Sequence, residues 1–143
     1  LHERVGEQEN LRDFGGRIAF EGPLRTVRCF QDNQLVKELL ATDGDGAVLV
    51  IDGSGSLGTA LMGDMIAESA VAHGWAGVLI HGAIRDSAAI GRLPLGVKAL
   101  GTNPRKSAKT GSGEADVVLR FGDVEFRPGA RLYADEDGVL VER

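Results

Sequence analysis

The sequence predicts a layered α/β domain of β/β/α type, and three observations carry that prediction. Residues 47–51 (AVLVI) and 76–81 (AGVLIH) are unbroken apolar runs, the mark of strands covered on both faces. Before residue 115 such runs alternate with helix-patterned segments, as in βα units. From residue 115 onward the pattern is only short strands and turns, a β meander.

The elements follow in order. Residues 1–13 (LHERVGEQENLRD) are polar and weakly periodic, and read as a frayed helix or an N-terminal arm. Gly15-Gly16 breaks the chain. Residues 26–30 alternate with β-branched residues and read as a strand. Asp32 caps a helix over 33–40, with Leu35, Val36, Leu39 and Leu40 on one face. The strand 47–51 stops at Asp52-Gly53-Ser54-Gly55-Ser56. A short apolar stretch, 59–62, ends at Gly63. Asp64 is the expected N-cap of a helix over 65–73, closed by Gly74. The strand 76–81 leads to Ile84-Arg85-Asp86-Ser87, a helical turn to Gly91, and a third strand at 95–100. Residues 101–113 form a loop carrying Arg105, Lys106 and Lys109. The meander has strands at 116–121, 124–126, 132–134 and 139–141, with turns at Gly122-Asp123, Pro128-Gly129 and Asp137-Gly138. One domain over 1–143 accounts for all of this.

Composition narrows the function. The chain has 143 residues, and acidic residues outnumber Lys plus Arg by 21 to 16, for a net charge of −5. That balance argues against direct nucleic-acid binding, which takes a basic footprint. A single cysteine, Cys29, leaves no intramolecular disulfide and fits a reducing, cytoplasmic setting. No apolar run approaches the ~18 residues of a membrane span, and no Lys/Arg-led signal pattern is seen, so no membrane role is expected. The sequence begins at Leu1 and not at a methionine.

Several motif readings fail on detail. Gly53-Ser54-Gly55-Ser56 lacks the Lys-Ser/Thr of a phosphate loop, and reads as a structural turn. His2, His73 and His81 lie on different elements, with no zinc-ligand spacing. No GxSxG elbow is present. Arg85-Asp86 stands out because it follows a buried strand, where α/β proteins place binding residues. An Arg beside an Asp is ordinarily a surface ion pair. Gly63-Asp64 changes the weight, because it opens a helix whose free N–H groups suit a carboxylate. Residues 63–66 thus offer an anion cradle from Gly63, Asp64, Met65 and Ile66. Asp64 and Asp86 add carboxylates and Arg85 a guanidinium, parts that an α-keto acid with a divalent metal requires.

Asp64, twenty residues, then Arg85-Asp86 resembles the D-x20-R-D pattern of class II pyruvate aldolases that cleave 4-hydroxy-4-methyl-2-oxoglutarate. The wider text resembles the RraA-like family (regulator of ribonuclease E activity A). Its stretches are FGGR (14–17), CFQDN (29–33), VIDGSGSLGTALMGD (50–64), GWAGVLIHGAIRD (74–86), LGTNPRKSAKTGSGE (100–114) and YADEDGVLV (133–141). The resemblance implies the swivelling β/β/α fold, phosphohistidine-domain-like, in homotrimers that sometimes stack as hexamers. It departs at Ala89, where the aldolase pattern often has an acid, and the sequence given ends at Arg143, where longer aldolases add an acid from a neighbouring subunit.

The resemblance implies two functions. One is a divalent-metal-dependent aldolase with oxaloacetate decarboxylase activity. In that reading Asp86 holds Mg²⁺ or Mn²⁺, and the backbone of Gly63, Asp64, Met65 and Ile66 holds the carboxylate of a small α-keto acid. Arg85 faces the C2 oxygen, and Asp64 handles the C4 hydroxyl proton. The other is a regulator that binds ribonuclease E and inhibits it without chemistry; the charge of −5 suits docking on a basic segment. A methyltransferase label attached to some relatives finds no nucleotide site in the glycine loop. Arg105, Lys106 and Lys109 are expected to be a solvated surface, or to gather anionic substrate.

Overall fold

The structure is a computed structural model that describes residues 2–6 and 10–143. Its elements are β1 (His2–Arg4), β2 (Arg12–Asp13), β3 (Phe20–Arg28), α1 (Gln34–Leu40), β4 (Val48–Asp52), β5 (Ala60–Met62), α2 (Asp64–Ala72), β6 (Gly77–Ile84), α3 (Ser87–Ile90), β7 (Gly96–Thr102), β8 (Glu114–Ala115), β9 (Leu119–Phe121), β10 (Val124–Phe126), β11 (Arg131–Asp135) and β12 (Gly138–Glu142). Among the described residues no helix is long and apolar enough to cross a membrane.

The two apolar runs are neighbours, as expected. β4 and β6 pair in parallel, from Val48 opposite Gly77 to Asp52 opposite His81. β3 and β7 flank them, also in parallel, and complete a central sheet β3-β4-β6-β7. Successive side chains of a strand face opposite ways, so each apolar run feeds two cores. Leu49, Ile51, Val78 and Ile80 point to the helical side, where they meet Val36 and Leu40 of α1, Ala67 and Ala70 of α2, and Ile90 of α3. Val48, Val50 and Leu79 point the other way, to Leu119, Phe126, Leu132, Ala134, Val139 and Val141 of the meander. The result is helices, sheet, then β layer: the β/β/α order.

Two glycines in register hold one aromatic ring. Gly77 sits opposite Gly96. A Cβ on either would stand 2.3 or 2.1 Å from the Phe20 ring. Phe20 therefore fills a slot that only glycine leaves open, and ties β3 to β6 and β7.

Some expectations need correction. The N-terminal arm contains no helix among its described residues. β1 pairs antiparallel with β12, and β2 pairs antiparallel with β7. Edge strands with exposed residues carry no apolar period, which is why the text looked irregular. Residues 1 and 7–9 of that arm lie outside the described residues. The strand expected at 26–30 runs instead over Phe20–Arg28, and Phe30 is 61% exposed. The strand expected at 116–121 is cut to Leu119–Phe121, because Asp116 takes φ +56° and Arg25 grips its carboxylate at 3.0 Å. The last hairpin turns one residue early: Asp135 pairs with Gly138, so Glu136-Asp137 form the turn.

Candidate active site

The site grows from the ends of β5 and β6. β5 pairs in parallel with the C-terminal part of β6, Met62 opposite Ile84. The Arg85 N–H then donates to Met62 O at 3.0 Å, which sets Arg85-Asp86 beside Gly63-Asp64. Gly63 is the N-cap of α2 and Asp64 its first helical residue, with no side-chain cap. That corrects the expectation of Asp64 as N-cap. The first helical bond is from the Ala67 N–H to Gly63 O. The N–H groups of Asp64, Met65 and Ile66 are thus outside the helical ladder.

Asp86 takes the first of those groups. The Asp64 N–H donates to Asp86 Oδ2 at 3.1 Å, and Arg85 Nη1 donates to the same oxygen at 3.2 Å. The Met65 and Ile66 N–H groups stay at the open first turn of the helix. Asp86 has φ +58°, a left-handed conformation uncommon outside glycine, and heads α3 without capping it. Its side chain instead reaches back across to α2. A Cβ on Gly63 would lie 2.8 Å from Asp86 Oδ2 and 3.0 Å from Arg85 Cζ, so glycine permits the close approach. The Arg85 and Asp86 side chains are 30% and 33% exposed, open to a ligand yet held. The Asp64 side chain is half-buried and takes no part in these bonds.

The loop after β7 closes one side. The Asn103 N–H donates to Ile84 O at 2.9 Å, and the Ala60 N–H to Arg105 O at 2.8 Å. Ser107 Oγ donates to Ala60 O at 2.7 Å. Lys109 Nζ donates to Asn33 Oδ1 at 2.8 Å, and Asn33 Nδ2 to Leu61 O at 3.1 Å. Burial, and then the positive charges of Lys37, Arg85 and Lys106, hold the Lys109 ammonium below the usual lysine range, with Asp32 opposing. Asp32 is not the cap expected: Asn33 is the N-cap of α1, with no side-chain cap bond, and Asp32 one residue earlier accepts from the Gln34 N–H at 3.1 Å. It also accepts from the Thr110 hydroxyl and N–H and from the Gly111 N–H. Burial pushes its carboxyl up, but those four bonds outweigh burial and bring it to about 2.

Asn33 is not among the site residues the sequence points to, and Lys109 is expected either as solvated surface or as a collector of anionic substrate. No local pattern could have found the pair, because the two lie 76 residues apart.

The glycine loop behaves as the structural turn expected. The Gly53 and Gly55 N–H groups both donate to His81 O at 3.1 Å, and the Ser54 N–H donates to Asp52 Oδ1 at 2.8 Å. The Ser56 N–H goes to Gly53 O. A loop whose N–H groups are spent internally has few left for a phosphate. The histidines are dispersed: His73 on Ser69 O, His2 on the Tyr133 ring, His81 stacked on Phe121 beside Asp52.

The donor set at Asp86 suits a hard divalent cation. Oδ1 is left by the two bonds to Oδ2. A cavity of about 250 Å³ lined by Arg85, Asp86, Ser87, Thr102, Asn103 and Pro104 opens beside it. Among the described residues no three His, Cys, Asp or Glu side chains converge. One carboxylate with water and substrate oxygens is an ordinary Mg²⁺ shell, whereas Ca²⁺ or Zn²⁺ would want more protein ligands. A larger cavity of about 610 Å³ lies over β3, β11 and β12, by Phe20, Tyr133 and Leu140, and includes none of these residues.

The family model described as RraA-like, Aldolase/RraA, matches residues 1–141. A Geobacillus kaustophilus HTA426 structure, described as an S-adenosylmethionine: 2-dimethylmenaquinone methyltransferase, is 51% identical with a TM-score of 0.95. The match covers 98% of this chain and 86% of that one. The structure of the RNA-processing inhibitor RraA from Thermus thermophilis is 48% identical with a TM-score of 0.95, over 98% and 84% of the two chains. Streptomyces coelicolor RraAS2, described as an unusual member of the RNase ES inhibitor RraA protein family, is 30% identical with a TM-score of 0.74, over 87% and 65%.

Proposed function

This chain belongs to the RraA-like family, which includes both 4-hydroxy-4-methyl-2-oxoglutarate aldolases and RraA regulators, and from that premise we propose that it is a divalent-metal-dependent aldolase of that substrate with oxaloacetate decarboxylase activity. The observation that carries the reading is the bond from the Asp64 N–H to Asp86 Oδ2, packed against a Gly63 with no room for a Cβ. It joins the helix start, the Arg85 guanidinium and the Asp86 carboxylate into one unit.

The residues divide the work. The N–H groups of Met65 and Ile66, at the positive end of α2, receive the substrate's first carboxylate. Gly63 and Asp64 bring that backbone close. Arg85 faces the C2 oxygen and stabilises the negative charge that gathers there as the C3–C4 bond breaks. Asp64 accepts the C4 hydroxyl proton through a water, so that the electrons of the broken bond pass to the C2 side and the C4 side leaves as pyruvate. Protonation at C3 then gives the second pyruvate. With oxaloacetate the leaving group is CO₂ and no hydroxyl proton moves. Asp86 would hold Mg²⁺ or Mn²⁺, which when bound polarises the keto oxygen.

The reading carries with it a cytoplasmic homotrimer, or a hexamer of stacked trimers; light scattering near three times the 15.1 kDa chain mass is the expected result. The methyltransferase description of the Geobacillus protein is not carried over, because loop 53–56 turns its N–H groups inward.

The decisive experiment is pyruvate release from oxaloacetate and from 4-hydroxy-4-methyl-2-oxoglutarate. Turnover is expected with Mg²⁺ or Mn²⁺ and none with EDTA. The description of the Thermus protein as an RNA-processing inhibitor favours a second reading, a non-catalytic regulator that binds ribonuclease E. Absence of metal-dependent turnover, together with inhibition of ribonuclease E, would replace the first reading by the second.

A further inference from the structure

We propose that Asn103 is a positioning residue: its side chain closes a ring of hydrogen bonds that fixes where Arg85 leaves the backbone, and so it acts on the reaction through Arg85. The inference rests on the aldolase reading and adds to it a residue outside the set of Asp64, Arg85 and Asp86.

The ring can be followed bond by bond. The Arg85 N–H donates to Met62 O at 3.0 Å, at the end of β5. At the start of β5 the Ala60 N–H donates to Arg105 O at 2.8 Å. The Arg105 N–H donates to Asn103 Oδ1 at 2.9 Å. The Asn103 N–H donates to Ile84 O at 2.9 Å, and Ile84 is the residue before Arg85. Backbone meets backbone in all of these bonds but one. The exception is the bond to Asn103 Oδ1, where a side chain accepts from the N–H two residues on and turns the chain through Pro104.

The nitrogen of the same amide does a second job. Nδ2 donates to Leu57 O at 2.7 Å and to Gly58 O at 3.2 Å. Those carbonyls belong to the loop between β4 and β5. Asn103 itself follows β7, which lies parallel beside β6 with Thr102 opposite Ile84. One side chain thus fastens together the segments that leave β4, β6 and β7 at the same end of the sheet. That is the end at which open α/β sheets build their ligand sites. An aspartate at position 103 would keep the Arg105 bond, lose both donors, and set a carboxylate against two carbonyl oxygens.

The ring borders the candidate site. Thr102, Asn103 and Pro104 line the cavity of about 250 Å³ together with Arg85, Asp86 and Ser87. The bond from the Asn103 N–H to Ile84 O ties these two walls to each other. Arg85 is a long side chain, 30% exposed, with Nη1 resting on Asp86 Oδ2 at 3.2 Å. The aim of such a side chain follows the start of its backbone. A misplacement near 1 Å, set off away from the chemistry, costs up to about a hundredfold in rate.

The test is a double-mutant cycle on oxaloacetate decarboxylation at saturating Mg²⁺, with thermal unfolding of every variant. Asn103→Asp is expected to lower kcat roughly tenfold to a hundredfold, with KM little changed because the start of α2 is untouched. In the Arg85→Ala background the same substitution should lower kcat by less than about twofold, because the group it positions is gone. Asn103→Ser keeps an acceptor for the Arg105 N–H, brings no charge, and should show the same pattern with a smaller loss; it carries the comparison if the aspartate variant does not fold. A merely structural asparagine would lower kcat by the same factor in both backgrounds. That result, or an unchanged kcat in folded Asn103→Asp and Asn103→Ser, overturns the proposal while wild-type turnover leaves the aldolase reading standing. A wild type with no metal-dependent turnover overturns the aldolase reading and the proposal with it.

Discussion

The backbone N–H of Asp64 and the carboxylate of Asp86 are joined by a 3.1 Å hydrogen bond across twenty-two positions of sequence. The chain leaves that bond along α2, returns along β6, and closes it with Met62 opposite Ile84. The spacing from Asp64 to Arg85-Asp86 is therefore the length of one helix-and-strand return. Altering that length would move the guanidinium relative to the helix start.

Gly63→Ala tests the closeness of that join. Gly63 has φ −115°, so alanine meets no backbone strain there. Its Cβ would instead press on Asp86 Oδ2 and on Arg85 Cζ and Nε. Both are side-chain ends that can swing away. Thermal unfolding should show a stability change of less than about 1 kcal/mol. Pyruvate release should fall roughly tenfold to a hundredfold, the scale of a misplacement near 1 Å. A variant of unchanged activity would mean that the placement of Arg85 and Asp86 is not used.

Arg85→Ala removes the donor assigned to the C2 oxygen, and donors of that kind are worth roughly 10²–10³ in rate. The loss should appear in kcat more than in KM for both oxaloacetate and the aldol. Arg85→Lys should recover only part of it, because an ammonium lacks the planar fork. Full recovery with lysine would reduce the role of Arg85 to bulk charge. Asp86→Ala should abolish the metal requirement along with the activity, measured as loss of Mg²⁺-dependent turnover.

The fold was legible where a single element explains its own residues. The runs at 47–51 and 76–81 face two cores at once, and their unbroken apolar text says so. Edge strands such as β1 and β2 were not legible, because pairing at an exposed edge leaves the side chains free to be polar. In the candidate site, the sequence picks out Gly63, Asp64, Arg85 and Asp86 at helix and strand ends, and the structure brings these four together. That Asp86 takes the Asp64 N–H, shrinking the cradle to Met65 and Ile66, depends on a left-handed Asp86 that sequence does not announce. The bond from Lys109 Nζ to Asn33 Oδ1 was not legible, because it joins residues 76 positions apart on a loop and at a helix start.

Asp32 predicts an acid-sensitive fold. Its carboxyl sits at about 2 in the folded protein, below the value of about 4 of an ordinary aspartate. The charged form is favoured by folding, so its contribution is full above about pH 4 and is lost as pH falls toward 2. A shift of this size corresponds to about 2 kcal/mol. Resistance of wild type to denaturation should fall as pH falls across that window. Asp32→Asn should lower stability at pH 7 and flatten the dependence between pH 4 and 2. An identical acid profile in wild type and variant would show that the bonds from Thr110, Gly111 and Gln34 do not discriminate the charged form.

Asp64→Asn separates the two reactions. The Asp64 backbone N–H, which holds Asp86, is untouched by the change, and so are the Met65 and Ile66 N–H groups that would hold the carboxylate. Asparagine has nearly the shape of aspartate, so KM for either substrate should move little. What is lost is a group able to accept a proton. Retro-aldol cleavage must move the C4 hydroxyl proton, whereas decarboxylation of oxaloacetate has none to move. General bases contribute roughly 10²–10⁴ in rate, so aldol cleavage should fall by that order. Oxaloacetate decarboxylation should fall far less. The measurement is the ratio of the two kcat values in wild type and variant at constant Mg²⁺. A ratio that stays the same, with both reactions slowed together, would remove Asp64 from the role of base and leave it as support for the backbone that Asp86 grips.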